Sequence, residues 1–339
     1  MLFTIWLTYD CNMKCAYCYE GEDKRQTKLE LETADDILTF IKSKIKDINR
    51  KIMINFHGGE PLMNYEVLEY LIRKVNGWEN ENISMLLTTN ATLLDNSKIE
   101  FLTNNLDELS ISIDGDKEAH DINRKFKNNI GSYESIIENI KSIPFGSKCN
   151  ILGRMTITPE TVHKLYDNIK FLVELGFKKI VPVLNQYDNR WSEHDKSVLL
   201  EEVKKVIDEF YVKKSGIVVG LVEEILYRKH SKCMAGKQTF HIGPEGDIYP
   251  CAHLMNVKSM KIGDVWNGVQ ENKIDEIQEI NQREIPGCAN CAWKDRCHGV
   301  RCKLINYAIT GEFCRPAFIT CLNEHLLMEI YQYYQQVVK

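Results

Sequence analysis

Three cysteines near the start of the chain, Cys11, Cys15 and Cys18, constrain it more than any other feature. They read C-N-M-K-C-A-Y-C, a spacing of three residues and then two, just after the apolar stretch 2–7. Three thiolates can hold three irons of a [4Fe–4S] cube, whereas a fully ligated electron carrier uses four. The fourth iron is then open to a small molecule. That difference separates a redox carrier from a site at which something bound reacts.

The other cysteines support a metal reading. Of twelve in the chain, eight fall from Cys233 to Cys321, and only Cys149 lies between the two groups. Stretch 2–7 is too short for a secretory signal, with Asp10 and Cys11 following at once. No run reaches the ~18 apolar residues of a membrane helix. A cytoplasmic chain is expected, and clustered cysteines there serve as metal ligands before disulfides. The net charge of −5 comes without a Lys/Arg block, so neither nucleic acid nor a membrane is expected as a partner. At 339 residues and 44% hydrophobic, the chain suits one large domain with a smaller one.

Up to about residue 215, short β patterns alternate with helical ones. Ile52, Ile54 and Phe56 alternate, as do Leu109, Ile111 and Ile113, while stretches 85–89 and 180–184 read as buried strands. Thr33-Ala34-Asp35-Asp36 resembles a capping box opening a helix that carries Ile37, Ile41, Ile45 and Ile48. Further helices are expected near 64–77, 95–104, 131–142, 162–176 and 195–213. About six β–α units call for a parallel sheet, and the count suits an α/β fold of the partial (β/α)6 barrel type. Chemistry in such folds sits at the C-terminal strand ends, where the Cys11–Cys18 loop falls. Beyond about residue 230 cysteine and turn residues become dense, as in a small domain organised by metal, and residues 326–339 fit a terminal amphipathic helix.

Several short motifs fall at the expected strand ends. In Gly58-Gly59-Glu60-Pro61, two glycines let backbone approach a ligand, and carbonyls or Glu60 can accept from an ammonium. Alone, the same four residues are an ordinary turn. Thr88-Thr89-Asn90 and Ser112-Ile113-Asp114-Gly115 offer polar groups to a ribose or a carboxylate. Arg124 can grip a carboxylate bidentately or be a solvated loop charge. Arg154, on the fifth strand, reads as a core ion-pair partner. Cys149 reads as a small buried hydrophobe.

The ordered set of Cys11/Cys15/Cys18, Gly58-Gly59-Glu60-Pro61, Thr89-Asn90 and Ser112-Ile113-Asp114-Gly115 resembles the radical S-adenosylmethionine (SAM) enzymes. The resemblance covers the first ~215 residues, and the fold it implies is the radical SAM barrel. It implies cluster ligation by Cys11, Cys15 and Cys18, with Tyr17 against the adenine and Leu184 against the adenosine. Gly58, Gly59 and Glu60 would approach the methionine amino group, and Ser112 and Arg124 the cofactor's polar groups. The chemistry implied is reductive cleavage of SAM to a 5′-deoxyadenosyl radical that abstracts a substrate hydrogen.

The later cysteines run Cys233, then Cys251 closing Gly246-Asp247-Ile248-Tyr249-Pro250-Cys251, then Cys288-x2-Cys291-x5-Cys297-x4-Cys302, Cys314 and Cys321. C-x2-C pairs also occur in zinc ribbons. Over about residues 230–325 the arrangement resembles the SPASM extension of peptide-modifying radical enzymes, a small cysteine-rich iron–sulfur domain with two auxiliary [4Fe–4S] clusters. The resemblance implies Cys233, Cys251 and Cys302 for auxiliary cluster I. It implies Cys288, Cys291, Cys297 and a late cysteine, Cys321 before Cys314, for cluster II. Three [4Fe–4S] clusters and SAM are the cofactors expected.

Three departures stand out. Four residues, 298–301, precede the last cysteine of the quartet where the family has three. Thr239 stands where sulfatase-maturating members place a further cluster I cysteine, leaving that cluster three-coordinate or borrowing Cys314. Ala252 stands where those members carry an aspartate base. Segments 233–236 and 246–251 look most like maturases of ribosomal peptides that forge thioether bridges. With ten residues before Cys11, leader recognition is expected from a separate protein. The domains expected are a barrel over 1–215, an auxiliary-cluster domain over 216–325 and a C-terminal helix over 326–339. The partners expected are a ribosomally made peptide and a flavodoxin or ferredoxin donor. Carbon–carbon crosslinking, epimerisation, sulfatase maturation and a non-catalytic metal-binding or electron-transfer role are the rivals.

Overall fold

Alternating burial along stretches 52–57, 83–89 and 179–184 sets the two faces of the sheet from which everything else hangs. The computed structural model describes residues 1–21, 24–45, 51–78, 82–227, 233–295 and 297–338. Strands β1 (Leu2–Trp6), β2 (Ile52–His57), β3 (Ile83–Thr89), β4 (Glu108–Ser112), β5 (Asn150–Ile157) and β6 (Lys179–Leu184) lie side by side in chain order, all parallel. A two-residue β7 (Val218–Val219) follows β6. The register sets Phe3, Ile54 and Met85 level, and likewise Ile5, Phe56, Leu87 and Leu109. All seven are buried and share the main core with the intervening helices. Those helices span Leu31–Ile45, Tyr65–Asn76, Asn96–Asn105, Tyr133–Ile140, Leu165–Glu174 and Glu193–Val206.

The parallel sheet does not close. The free edge of β1 is taken by β8 (Thr239–Ile242), which runs parallel to it and stacks Phe240 on Phe3 at 5.3 Å between ring centroids. Antiparallel strands β9 (Asp247–Tyr249), β10 (Gly263–Asp264) and β11 (Gly268–Val269) extend it further, so one eleven-stranded sheet runs from the cysteine-rich region into the partial barrel.

Two details differ from expectation. The first helix opens at Leu31, because Ala34 N already donates to Glu30 O at 2.9 Å, so Thr33 sits inside the first turn and does not cap it. Ile48 lies outside the described residues. The terminal helix spans Phe318–Val337, eight residues ahead of the expected start, since its apolar repeat begins at Ile319 and continues through Leu322, Leu326, Leu327 and Ile330. It packs on helices Glu193–Val206 and Gly220–Tyr227, and its first turn carries Cys321. Among the described residues no helix is long and apolar enough to cross a membrane.

Phe56 is fully buried between β1 and β3. Phe56→Ala is expected to cost about 3–5 kcal/mol, read as a lower urea midpoint of the apo-protein.

Candidate functional site

The exit of β1 is pinned before the cysteines begin. Thr8 Oγ1 accepts from Asp10 N at 3.0 Å and donates to Thr27 O at 2.9 Å. Asp10 Oδ1 accepts from Cys11 N at 2.8 Å and pairs with Lys127 at 2.8 Å. Further on, Lys14 N donates to Lys125 O and Ala16 N to Asn123 O, at 2.7 and 2.9 Å. The loop so held presents Cys11, Cys15 and Cys18 to one cavity of about 320 Å3 at the C-terminal strand ends. Burial pushes the Cys11 thiol up, and the Cys15 thiol to about 12. Lys24 lines the same cavity. Burial opposes its charge, but the sulfurs of Cys11, Cys18 and Cys15 outweigh that and raise its pKa. Thiols so desolvated ionise when a metal supplies positive charge.

Gly58 and Gly59 are glycines because of the neighbouring chain. A Cβ on Gly58, at φ +139°, would stand 2.3 Å from Thr8 O, and one on Gly59 would stand 2.2 Å from Asp10 O. Their backbones also line the cavity. Glu60, 1% exposed, accepts at Oε1 from Leu62 N (3.0 Å) and Thr89 Oγ1 (2.7 Å), and at Oε2 from Asn90 N (2.7 Å). One lone-pair direction of Oε2 stays available to a further donor.

Tyr17, Asp114 and Arg124 form a buried knot on the far wall. Tyr17 Oη donates to Asp114 Oδ2 at 2.5 Å, Arg124 Nε stands 3.0 Å from the same oxygen, and Thr156 N donates to Oδ1 at 2.9 Å. The Arg124 guanidinium lies over the Tyr17 ring at 5.3 Å. Arg124 is thus no solvated loop charge: it is 7% exposed and ion-paired. Arg154 behaves in the opposite way to its expected role. It is exposed into the cavity, level with Ser112 in the β4–β5 register, and among the described residues no carboxylate pairs with it. Its inward position on β5 puts it over the cavity, where Glu108 acts on it electrostatically without forming an ion pair.

Ser112 and Leu184 line the cavity as well. So do four side chains that the sequence did not single out: His57, Tyr19, Tyr187 and His253. Burial pushes His57 down to about 4, and its Nδ1 accepts from Gly58 N at 2.7 Å. Tyr187 Oη and His253 Nδ1 are 2.8 Å apart, and the Tyr19 ring lies 6.4 Å from Tyr187 and 5.4 Å from His253. His57 and Arg154 were findable from strand alternation. The aromatic group was not, because its members come from three distant segments.

The later cysteines separate into two groups. Cys302 donates to Cys233 and holds that thiol below the usual range, and Cys251 is near both. Cys321 lies within electrostatic reach of Cys297, Cys288 and Cys291. Cys314 lies instead beside Lys303. Cys149 is 3% exposed in the main core. Among the described residues no three His, Cys, Asp or Glu side chains converge to hold a single metal ion. The all-sulfur donor sets are soft, as iron–sulfur clusters require.

Residues 6–172 match the model of the radical SAM superfamily, and residues 233–292 match SPASM, an iron–sulfur cluster-binding domain. The chain is a radical SAM enzyme. Its cofactors are SAM and a [4Fe–4S] cluster, with auxiliary iron–sulfur clusters in the SPASM domain. This radical SAM chain is 28% identical over 322 residues to the cysteine-type anaerobic sulfatase-maturating enzyme of Clostridium perfringens, covering 85% of each chain. Its fold matches that of anSMEcpe solved with AdoMet and the Cp18Cys peptide, at a TM-score of 0.79 and 22% identity, covering 99% of this chain and 98% of that one. SuiB of Streptococcus suis, solved with its precursor peptide SuiA, matches at a TM-score of 0.65 and 16% identity, covering 94% and 75%.

Four histidines are held neutral by burial: His57, His120, His241 and His253, with His57 at about 4 and His241 at about 3. Unfolded histidine titrates near ~6.5. Above that value neither state takes protons at these groups. Below it the unfolded chain gains protons that the folded one refuses, so stability falls with pH. Glu20, which burial pushes up to about 7, and Glu60, which burial also pushes up, act in the opposite sense but are two groups against four. The urea midpoint of the apo-protein is expected to drop between pH 7 and pH 5. An unchanged midpoint would contradict the neutral assignment.

Proposed function

We propose that this enzyme modifies a ribosomally made peptide by hydrogen abstraction, joining a cysteine sulfur to a substrate carbon as a thioether. The observation that carries the reading is the shared cavity. Cys11, Cys15 and Cys18 line it from the barrel, and His253, two residues past Cys251, lines it from the cysteine-rich region. A substrate there would touch both halves of the protein. The sulfatase-maturating name of the Clostridium relative, and the peptides in the anSMEcpe and SuiB structures, support a peptide substrate.

In this reading Cys11, Cys15 and Cys18 hold the barrel cluster. Gly58, Gly59 and Glu60 face the amino group of SAM, and Tyr17 and Leu184 flank its adenosine. Ser112 and Arg154 take its carboxylate, a role the sequence assigned to Arg124. Arg124 is committed to Asp114 and orients Tyr17 instead. Bound there, the cluster and SAM supply an electron and a carbon-centred radical able to take a substrate hydrogen. Met155, Val183 and Leu184 form apolar wall that helps keep water away. Cys233, Cys251 and Cys302, with Cys314 as the candidate further thiol, belong to auxiliary cluster I. Cys288, Cys291, Cys297 and Cys321 belong to cluster II, making three clusters fed by a flavodoxin or ferredoxin. The barrel is taken as 1–215 and the auxiliary region as starting at 216, with a separate protein recognising any leader.

A second reading, oxidation of a sulfatase cysteine to an aldehyde, is favoured by the similarity to the Clostridium enzyme over 85% of each chain. Ala252 in place of an aspartate base weighs against it. Reduced, reconstituted enzyme given SAM and the peptides encoded beside its gene is expected to form 5′-deoxyadenosine. The peptide should lose two hydrogens per crosslink and keep its sulfur. Exchange of that sulfur for an aldehyde oxygen would establish the second reading, and absence of 5′-deoxyadenosine would sink both.

Arg154→Ala is expected to weaken SAM binding roughly 10–100-fold with iron content unchanged, the loss of a charged hydrogen bond being worth about 1.5–3 kcal/mol. Unaltered SAM affinity in that variant would return the carboxylate role to Arg124.

A further inference from the structure

Lys303 is a lysine in the interior. It is 3% exposed, and its ammonium donates to the Val300 carbonyl. Among the described residues no carboxylate pairs with it. A cation removed from water in this way is strongly unfavourable unless negative charge stands close by.

The nearest candidates for that charge are sulfurs. Cys302 precedes Lys303 in the chain, and the thiols of Cys314, Cys288 and Cys302 are near enough for their charge to act on its ammonium. Cys288 registers the same cation in return. Cys302 and Cys288 fall in different groups, so the ammonium is within electrostatic reach of both. The backbone there is held by hydrogen bonds. Cys302 N donates to His298 O at 2.7 Å, and Asn306 Nδ2 clamps Gly299 O and Phe313 O at 2.9 and 3.1 Å. Lys303 opens helix Lys303–Thr310, whose buried Leu304 and Asn306 fix its rotation.

We infer that Lys303 is the shared counter-ion of the two auxiliary clusters, a positioning residue that raises the reduction potential of both by offsetting the charge of their thiolate-ligated irons. The inference rests on the assignment of Cys302 and Cys288 to clusters I and II given above. A nearby positive charge favours the more negative, reduced form of a cluster, and charge and hydrogen bonding around the sulfurs are among the factors that set its potential.

The test is a redox titration followed by electron paramagnetic resonance, with iron counted per chain. It is run on the holoenzyme, and on a Cys11→Ala/Cys15→Ala/Cys18→Ala background that isolates the auxiliary signals. Lys303→Met is expected to keep its iron and make both auxiliary potentials more negative. The shift should equal about a tenfold or larger change in the reduction equilibrium, 59 mV for one electron. Lys303→Arg, which keeps the charge, is expected to stay close to the parent. Loss of auxiliary iron in Lys303→Met but not in Lys303→Arg would support the inference equally, as failed charge compensation. Full iron with unmoved potentials in Lys303→Met would overturn it, as would iron loss in both variants, which marks a steric role. If the parent protein itself held no auxiliary iron, the cluster assignment would fall and this inference with it, an outcome distinct from a silent Lys303→Met.

Discussion

The buried carboxylate of Glu60 is the knot on which the site depends. Its oxygens gather Leu62 N, Thr89 Oγ1 and Asn90 N, binding the exit of β2 to the exit of β3. Just before it, Gly59 N donates to Thr8 O, and Glu60 N donates to Asp10 O, each at 2.9 Å, binding the same turn to the exit of β1. Three strand ends are thereby fixed to one another at the place where the first cysteine follows. Burial pushes this carboxyl up even with all these donors, and leaving any of them unpaired would cost about a further 1–3 kcal/mol. Rigidity of the cysteine loop thus comes from hydrogen bonds made behind it rather than from the loop's own sequence.

Most of the barrel was legible in the sequence because period-two burial leaves a local mark. Ile52, Ile54 and Phe56 on β2 are the clearest case, and they point to the core as alternation requires. The cysteine loop and the glycine pair were legible as motifs, but the reason for the glycines was not. The close approach is to Thr8 and Asp10, and only the fold brings those backbones together. The two arginines show the same limit. Arg124 stands ten residues after Asp114 and Arg154 forty, and nothing local says which one the carboxylate takes. The aromatic group of Tyr19, Tyr187 and His253 is assembled across the whole chain and leaves no trace in any window. The separation of Cys321 from Cys314 was likewise open in the sequence. The last helix starts early and carries Cys321 in its first turn, within electrostatic reach of Cys297, Cys288 and Cys291.

Charge is handled differently in the two halves of the protein. In the barrel, Arg124 meets its carboxylate within the chain, while among the described residues none pairs with Arg154. In the cysteine-rich half, Lys303 is buried, donates to a carbonyl and lies within electrostatic reach of the thiols of Cys314, Cys288 and Cys302. Apo-protein of this kind carries electrostatic cost at the positions its cofactors would neutralise, so cofactor loading and stability are coupled.

The pairing of β8 with β1 has a consequence for how such a protein can be built from parts. A parallel partial barrel has two raw edges, each a row of unpaired amides open to any passing strand. Here one of them is closed by a segment that belongs, in chain order, to the cysteine-rich region. Removing that region would bare the strand leading to Cys11 and invite foreign strands onto it. The two halves are therefore not interchangeable modules on a string. The second is the selvedge of the first, and a graft or truncation that ignores this would be expected to fray at the catalytic end.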